Sequence, residues 1–188
     1  VTHNVDLSRS EGNFSPNVSL QWHPNDESML YANISRGFKG GGYDLQFSGN
    51  QAAALTQMEY AGETVTAYEL GGKFRFDNDR AQFNADVFRE DFKDLQVSAL
   101  LSSATQTFAV TNAAAARSQG VEADLRFRPV AALTLSASGA YLDAMVTSFP
   151  GAQCDEVQSE SFGCINGVQD LGGRPLQFSP KWAGTFNM

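Results

Sequence analysis

The sequence predicts an all-β protein, a fragment of a transmembrane, antiparallel, up-and-down β-barrel contributing about seven strands. Three observations carry this. Apolar and polar residues alternate with a period of two along nearly every extended segment, and no window shows helical periodicity. Several segments match or exceed the roughly 9 to 11 residues that a tilted strand needs to cross a bilayer. The connections alternate between tight turns and long loops, the layout of short periplasmic turns and long extracellular loops.

The elements follow in order. In the first strand, 13–23, Val18, Leu20 and Trp22 oppose Asn17, Ser19 and Gln21, and the Pro/Asn/Asp-rich turn HPNDES leads into the second, 28–38. A long connection, 39–62, precedes strand 63–77, where Tyr68, Leu70, Gly72, Phe74 and Phe76 oppose Glu69, Lys73, Arg75 and Asp77. DNDR turns the chain into 80–100, with Ala81, Phe83, Ala85 and Val87 against Gln82, Asn84 and Asp86. A shorter Ser/Thr/Ala stretch near 101–107 leads to 106–128, where Val121, Ala123, Leu125 and Phe127 oppose Glu122, Asp124, Arg126 and Arg128. After RPVAAL comes 132–147, with Leu133, Leu135, Ala137, Gly139 and Tyr141 on one face. A cysteine-bearing loop, 148–175, precedes the last strand, 176–188.

The 188 residues are 42% hydrophobic, enough for a domain of ordinary size. With 13 Lys+Arg against 21 Asp+Glu the net charge is -8, and no basic cluster marks a nucleic-acid partner. No apolar run approaches the roughly 18 residues of a membrane helix, and VTHNVDLSRSEG lacks the features of a signal peptide. The chain is therefore soluble or spans as strands. Alternation alone also fits a soluble sandwich. Strand length, sorted loops and the aromatics Trp22, Phe74, Phe76, Phe127 and Tyr141 toward strand ends favour lipid. The opening Val1 and the end inside the alternating run WAGTFNM suggest a piece of a longer protein, and seven strands fall short of the even number, 8 or more, that closes a bacterial barrel.

Cys154 and Cys164, spaced C-x9-C in one polar stretch, suggest a disulfide and an oxidising compartment; free thiols are the alternative, and no nearby His supports a metal. No catalytic constellation or cofactor motif emerges: His3 and His23 have no nucleophilic partner, and GFKGGGYD lacks P-loop spacing. An enzyme is not expected. Glu69, Lys73, Arg75, Asp86, Glu122, Asp124, Arg126 and Arg128 are expected to face a hydrated lumen and pair across strands. Ligand contacts are expected from the extracellular loops, at Arg36, Lys39, Tyr43 and Tyr60 or in the cysteine loop.

FSPNVSLQWHPNDESMLYANISRGFKGGGYD resembles a stretch of the barrel domain of TonB-dependent outer-membrane receptors. ETVTAYELGGKFRFDNDRAQFNADVFREDFKDLQV, VTNAAAARSQGVEADLRFRPVAALTLSASGAYLDA and LGGRPLQFSPKWAGTFN resemble its following strands, in order, so the likeness covers most of the chain from residue 14. The resemblance implies the C-terminal part of a barrel of roughly 22 strands in the outer membrane of a Gram-negative bacterium. It further implies that 1–188 is a partial barrel domain, lacking both plug and terminal strand. The plug would engage the inner-membrane TonB-ExbB-ExbD complex, and the receptor would actively import a scarce nutrient, by frequency a ferric siderophore or other metal chelate. An oligosaccharide or cobalamin-type receptor, a passive porin and a soluble carbohydrate-binding β-sandwich are the alternatives.

Overall fold

The computed structural model describes residues 6–44, 58–102, 107–154 and 163–188, and these contain strands and no helix. The strands are β1 (Asn17–Asn25), β2 (Ser28–Lys39), β3 (Gly42–Tyr43), β4 (Glu59–Tyr60), β5 (Glu63–Phe76), β6 (Ala81–Ser102), β7 (Thr107–Val130), β8 (Leu133–Ser148), β9 (Ala152–Gln153), β10 (Val168–Gln169) and β11 (Trp182–Asn187). Seven form one antiparallel sheet in the order β1-β2-β5-β6-β7-β8-β11, so each long strand pairs with its neighbour in sequence. With β1 and β11 at opposite edges the wall is open. The predicted all-β, up-and-down architecture is the one observed.

The tight turns follow from their residues. Asp77, Asn78 and Asp79 have φ of 55°, 53° and 63°, the left-handed region that short Asx side chains tolerate best among non-glycine residues. The β1–β2 reversal is closed by the Glu27 N–H donating to Asn25 Oδ1 at 3.0 Å. β6 and β7, of 22 and 24 residues, extend past their neighbours at the loop end.

Directly paired residues share a face, so the register sorts the sheet into two surfaces. One carries Leu20, Leu30, Leu70, Val87, Val121, Leu125, Tyr141 and Phe186; the other carries Gln21, Tyr31, Glu69, Asp86, Glu122, Asp124, Ser138 and Thr185. No large side chain is fully buried among the described residues, and Leu70 and Trp22 are 59% and 61% exposed. A sandwich would cover that apolar face with a second sheet; among the described residues the other sheets are the two-stranded pairs β3–β4 and β9–β10.

Two boundaries differ from expectation by more than two residues. β1 begins at Asn17 rather than 13, after Pro16, which has no N–H for a ladder. β11 begins at Trp182 rather than 176, because Pro180 interrupts the run and Phe178 takes φ 56°. Residues 171–181 still follow the β8 edge, through Val146 N–H to Arg174 O (2.8 Å) and Leu176 N–H to Ala144 O (3.0 Å).

Candidate functional site

The eight charged residues expected on the lumen wall lie on the polar face. Gly71, Asp86 and Glu122 form one row across β5, β6 and β7; Lys73, Asn84 and Asp124 the next; Arg75, Gln82 and Arg126 the next toward the short turns. Glu69 lies one row toward the loops, and Arg128 shares a depression with Arg126, Arg80, Asp79 and Gln82 at the turn end. The charges are thus sorted by height, with carboxylates at mid-sheet and guanidiniums toward the turns. Tyr31 donates its hydroxyl to Glu69, Asn84 donates to Asp124 at 3.1 Å, and Lys73 Nζ lies 6.0 Å from the Tyr31 ring centroid. An open hollow of about 360 Å³ between β6, β7, β8 and β11 is lined by Asp86, Glu122, Asp124, Ser138 and Thr185. Among the described residues no three His, Cys, Asp or Glu are grouped to hold a metal ion.

At the loop end the four residues expected to meet ligand do not stay together. Lys39 ends β2 and pairs with Glu63 at 3.8 Å; Tyr43 in β3 and Tyr60 in β4 lie on the small hairpin that follows. Arg36 is not a loop residue. It sits inside β2, in register with Thr66, on the face of Ala32 and Ile34, because the alternating pattern runs through Gly37 and Phe38 before the glycine break at Gly40.

Residues that sequence reasoning passed over position this hairpin. Gln96 Nε2 donates to the carbonyls of Gly40 (2.9 Å) and Ala61 (3.1 Å), while Asn112 accepts from Ala61 N–H (2.6 Å) and donates to Ala61 O (2.8 Å) and Asp94 O (2.9 Å). Both side chains satisfy backbone groups that a loop would otherwise leave unpaired. The segment before β1 straps the hairpin: Arg9 pairs with Glu11 and Glu59, Glu11 accepts from Gly41 N–H, and Tyr43 donates to Ser8 O. The hydrogen bond from Arg9, and then that from Gly41, holds the Glu11 carboxyl below its ordinary range. The only sequence signal for these contacts was polar residues persisting where strand and loop meet.

Cys154 and Cys164 are joined, with Cα atoms 5.9 Å apart, beside the β9–β10 pair. Cys164 and Ala152 are buried, as are Ala114 and Ala116 of β7 and Ala144 and Val146 of β8. His23 lies in β1 next to the first turn. His3, residues 45–57 and 103–106, and the loop centre 155–162 lie outside the described residues.

The family model described as TonB dependent receptor-like, beta-barrel matches residues 1–188. Among solved structures, the ferric yersiniabactin uptake receptor FyuA from Yersinia pestis aligns with TM-score 0.63 and 18% identity, over 89% of this chain and 21% of its own. The ferric-catecholate import receptor Fiu from E. coli K12 aligns with TM-score 0.57 and 15% identity, over 90% of this chain and 21% of its own. The siderophore receptor PirA from Pseudomonas aeruginosa aligns with TM-score 0.55 and 22% identity, over 70% and 25%. The chain therefore spans about a fifth to a quarter of the proteins it resembles.

Proposed function

The chain belongs to the family of TonB-dependent receptor-like β-barrels, and from that premise we propose that it forms part of the wall of a receptor that actively imports a ferric siderophore or other metal chelate. The family's members are transporters rather than enzymes and lie in the outer membrane of Gram-negative bacteria.

The observation that carries the reading is the two-faced single sheet. One surface presents exposed Leu70, Val87, Val121 and Leu125 with aromatics toward either end, suited to lipid; the other presents Glu69, Asp86, Glu122, Asp124 and Arg126, suited to a hydrated interior. On β5, Phe76 and Tyr68 are eight residues apart, or about 26 Å along the strand and about 20 Å in height at a tilt of about 40°. With the rings themselves added, this approaches the apolar band of about 25 Å expected of such barrels.

The names of the structural neighbours support an iron chelate as cargo. Lys39, Tyr43, Tyr60 and the disulfide-closed loop supply the ligand-facing surface of this wall. In the complete protein a plug fills the lumen against the sorted charges and offers the TonB-ExbB-ExbD complex a segment to pull. The test is uptake of iron-55 as a ferric siderophore by cells with and without the complete gene, and with and without a working TonB. Uptake that needs both supports the proposal. Uptake that persists without TonB indicates a passive pore, and a defect confined to cobalamin or oligosaccharide supplies shows a different cargo.

A further inference from the structure

The hairpin β3–β4 is held from two sides by side chains that end on its backbone. From one side comes the segment before β1: Glu11 accepts from the Gly41 N–H at 2.8 Å, the Tyr43 hydroxyl donates to Ser8 O at 2.9 Å, and Arg9 bridges Glu11 and Glu59. The seat is close-fitting, because a Cβ at Gly41 would collide with the Tyr60 carbonyl oxygen and with the Arg9 guanidinium. From the other side come β6 and β7. Gln96 Nε2 reaches Gly40 O and Ala61 O, Asn112 engages both backbone groups of Ala61, and Val110 N–H donates to Asp44 Oδ2 at 3.0 Å, just past β3.

The second set of contacts depends on a break in the ladder. β6 and β7 shift register between Phe92 and Leu95 and again before Gln96, and Asp94 takes φ 56° in the gap. A bulge bends its strand and re-aims the side chains beyond it, and here it brings Gln96 and Asn112 over the hairpin. Asn112 Nδ2 donates to Asp94 O at 2.9 Å as well as to Ala61 O, so one amide ties the bulge to the hairpin. Gln96 N–H donates to Glu63 Oε2 at 3.0 Å, the carboxylate that Lys39 faces.

Resting on the reading of Lys39, Tyr43 and Tyr60 as ligand-facing, we propose that this part of the extracellular mouth is assembled before ligand arrives. The segment before β1, the β3–β4 hairpin and the outer β6–β7 pair form one body, clamped by Arg9 on one side and by Gln96 and Asn112 on the other. Each contact is weak alone at a surface. Contacts that share one small hairpin reinforce one another, so loosening either side loosens the amides held by the other. A ligand that meets a hairpin already in place does not have to order it, whereas a hairpin in the binding arrangement a tenth of the time would bind about tenfold more weakly.

The experiment uses the complete, ligand-free protein purified in detergent from outer membranes. Hydrogen exchange is resolved to single amides by mass spectrometry with electron-transfer fragmentation, and heat-modifiable mobility reports the folded barrel. The two amides compared are Gly41, which Glu11 holds, and Ala61, which Asn112 holds. The expected result is crosswise: Asn112→Ala speeds exchange at Gly41 at least fivefold, and Arg9→Gln does the same at Ala61, although neither substitution touches the partner of the amide it speeds. Exchange that changes only on the substituted side overturns the inference, because the two clamps are then independent. Wild-type exchange at Gly41 and Ala61 as fast as in an unstructured chain overturns it too. If Asn112→Ala does not fold, Asn112→Asp, which keeps the acceptor for Ala61 N–H and loses both donated bonds, decides by the same criterion. No cargo is present in this experiment, so its failure leaves the transport reading to the iron-55 test.

Discussion

Leu125→Arg in the complete protein should weaken insertion by about 2 kcal/mol, and the size follows from the register. The aromatic levels at Phe76 and Tyr68 bracket the apolar face, and midway between them lies the row of Gly72, Ala85, Ala123 and Gly139. Leu125, 45% exposed, is one row from that centre, about 7 Å along the strand and about 5 Å in depth at a tilt of about 40°. Arginine on the lipid face costs roughly 2 to 4 kcal/mol at mid-bilayer and about 0 to 1 near the interfaces, over a half-height of about 12 Å. An intermediate depth gives about 2 kcal/mol, or roughly 30-fold in the folding constant. Two controls bracket it. Leu135→Arg, in the row of Phe127 and Ala81 at the aromatic level, should cost less than about 1 kcal/mol. Asn84→Arg, on the polar face beside Asp124, should be near neutral because the new guanidinium meets a carboxylate. A denaturant titration of folding into phosphatidylcholine vesicles measures all three. Equal costs at Leu125 and Asn84 would refute the assignment of faces.

Three further outcomes are expected. Gly120→Ala should destabilise the barrel by about 1 to 3 kcal/mol in the same titration, since a Cβ there collides with the Tyr141 carbonyl oxygen and crowds the Phe88 ring; an unchanged midpoint would contradict that packing. Cys154→Ser/Cys164→Ser removes a crosslink spanning 10 residues of sequence, worth about 2 to 3 kcal/mol of local chain entropy, so limited proteolysis should speed up within 149–181 while heat-modifiable mobility persists. Asp91 accepts from both Arg89 and Arg117, so Asp91→Asn should destabilise the barrel by about 0.2 to 1 kcal/mol in the same titration; an unchanged midpoint would count against the pairing.

The long strands were legible because period-two alternation is a local signal, and in β7 it runs without interruption from Val121 to Arg128. Face assignment came with it, since pairing register cannot slip by one residue without turning Leu125 and Asp124 to the wrong sides. What escaped were features fixed by partners distant in sequence. The hairpin β3–β4 has two residues per strand and depends on Gln96, Asn112 and Arg9, which no local pattern links to it. Arg36 falls inside the predicted strand 28–38, so placing it in a ligand-binding loop ran against the alternating pattern itself, and its pairing with Thr66 keeps it in the strand. The end of the apolar face is also written in the pattern: the apolar positions stop at Val87, Val121 and Tyr141, and Arg89, Gln119 and Asp143 take the next places on that face.

The central claim is that one face of this sheet meets lipid and the other water. Single nitroxide labels at each position from 120 to 128 of the complete, reconstituted receptor test it most directly, read by collision with oxygen, which concentrates in lipid, and with a water-soluble nickel chelate. The account predicts oxygen-favoured collisions at Val121, Ala123, Leu125 and Phe127 and nickel-favoured collisions at Glu122, Asp124, Arg126 and Arg128, alternating residue by residue. A flat profile, or nickel access at Val121 and Leu125 equal to that at Glu122 and Asp124, would contradict it.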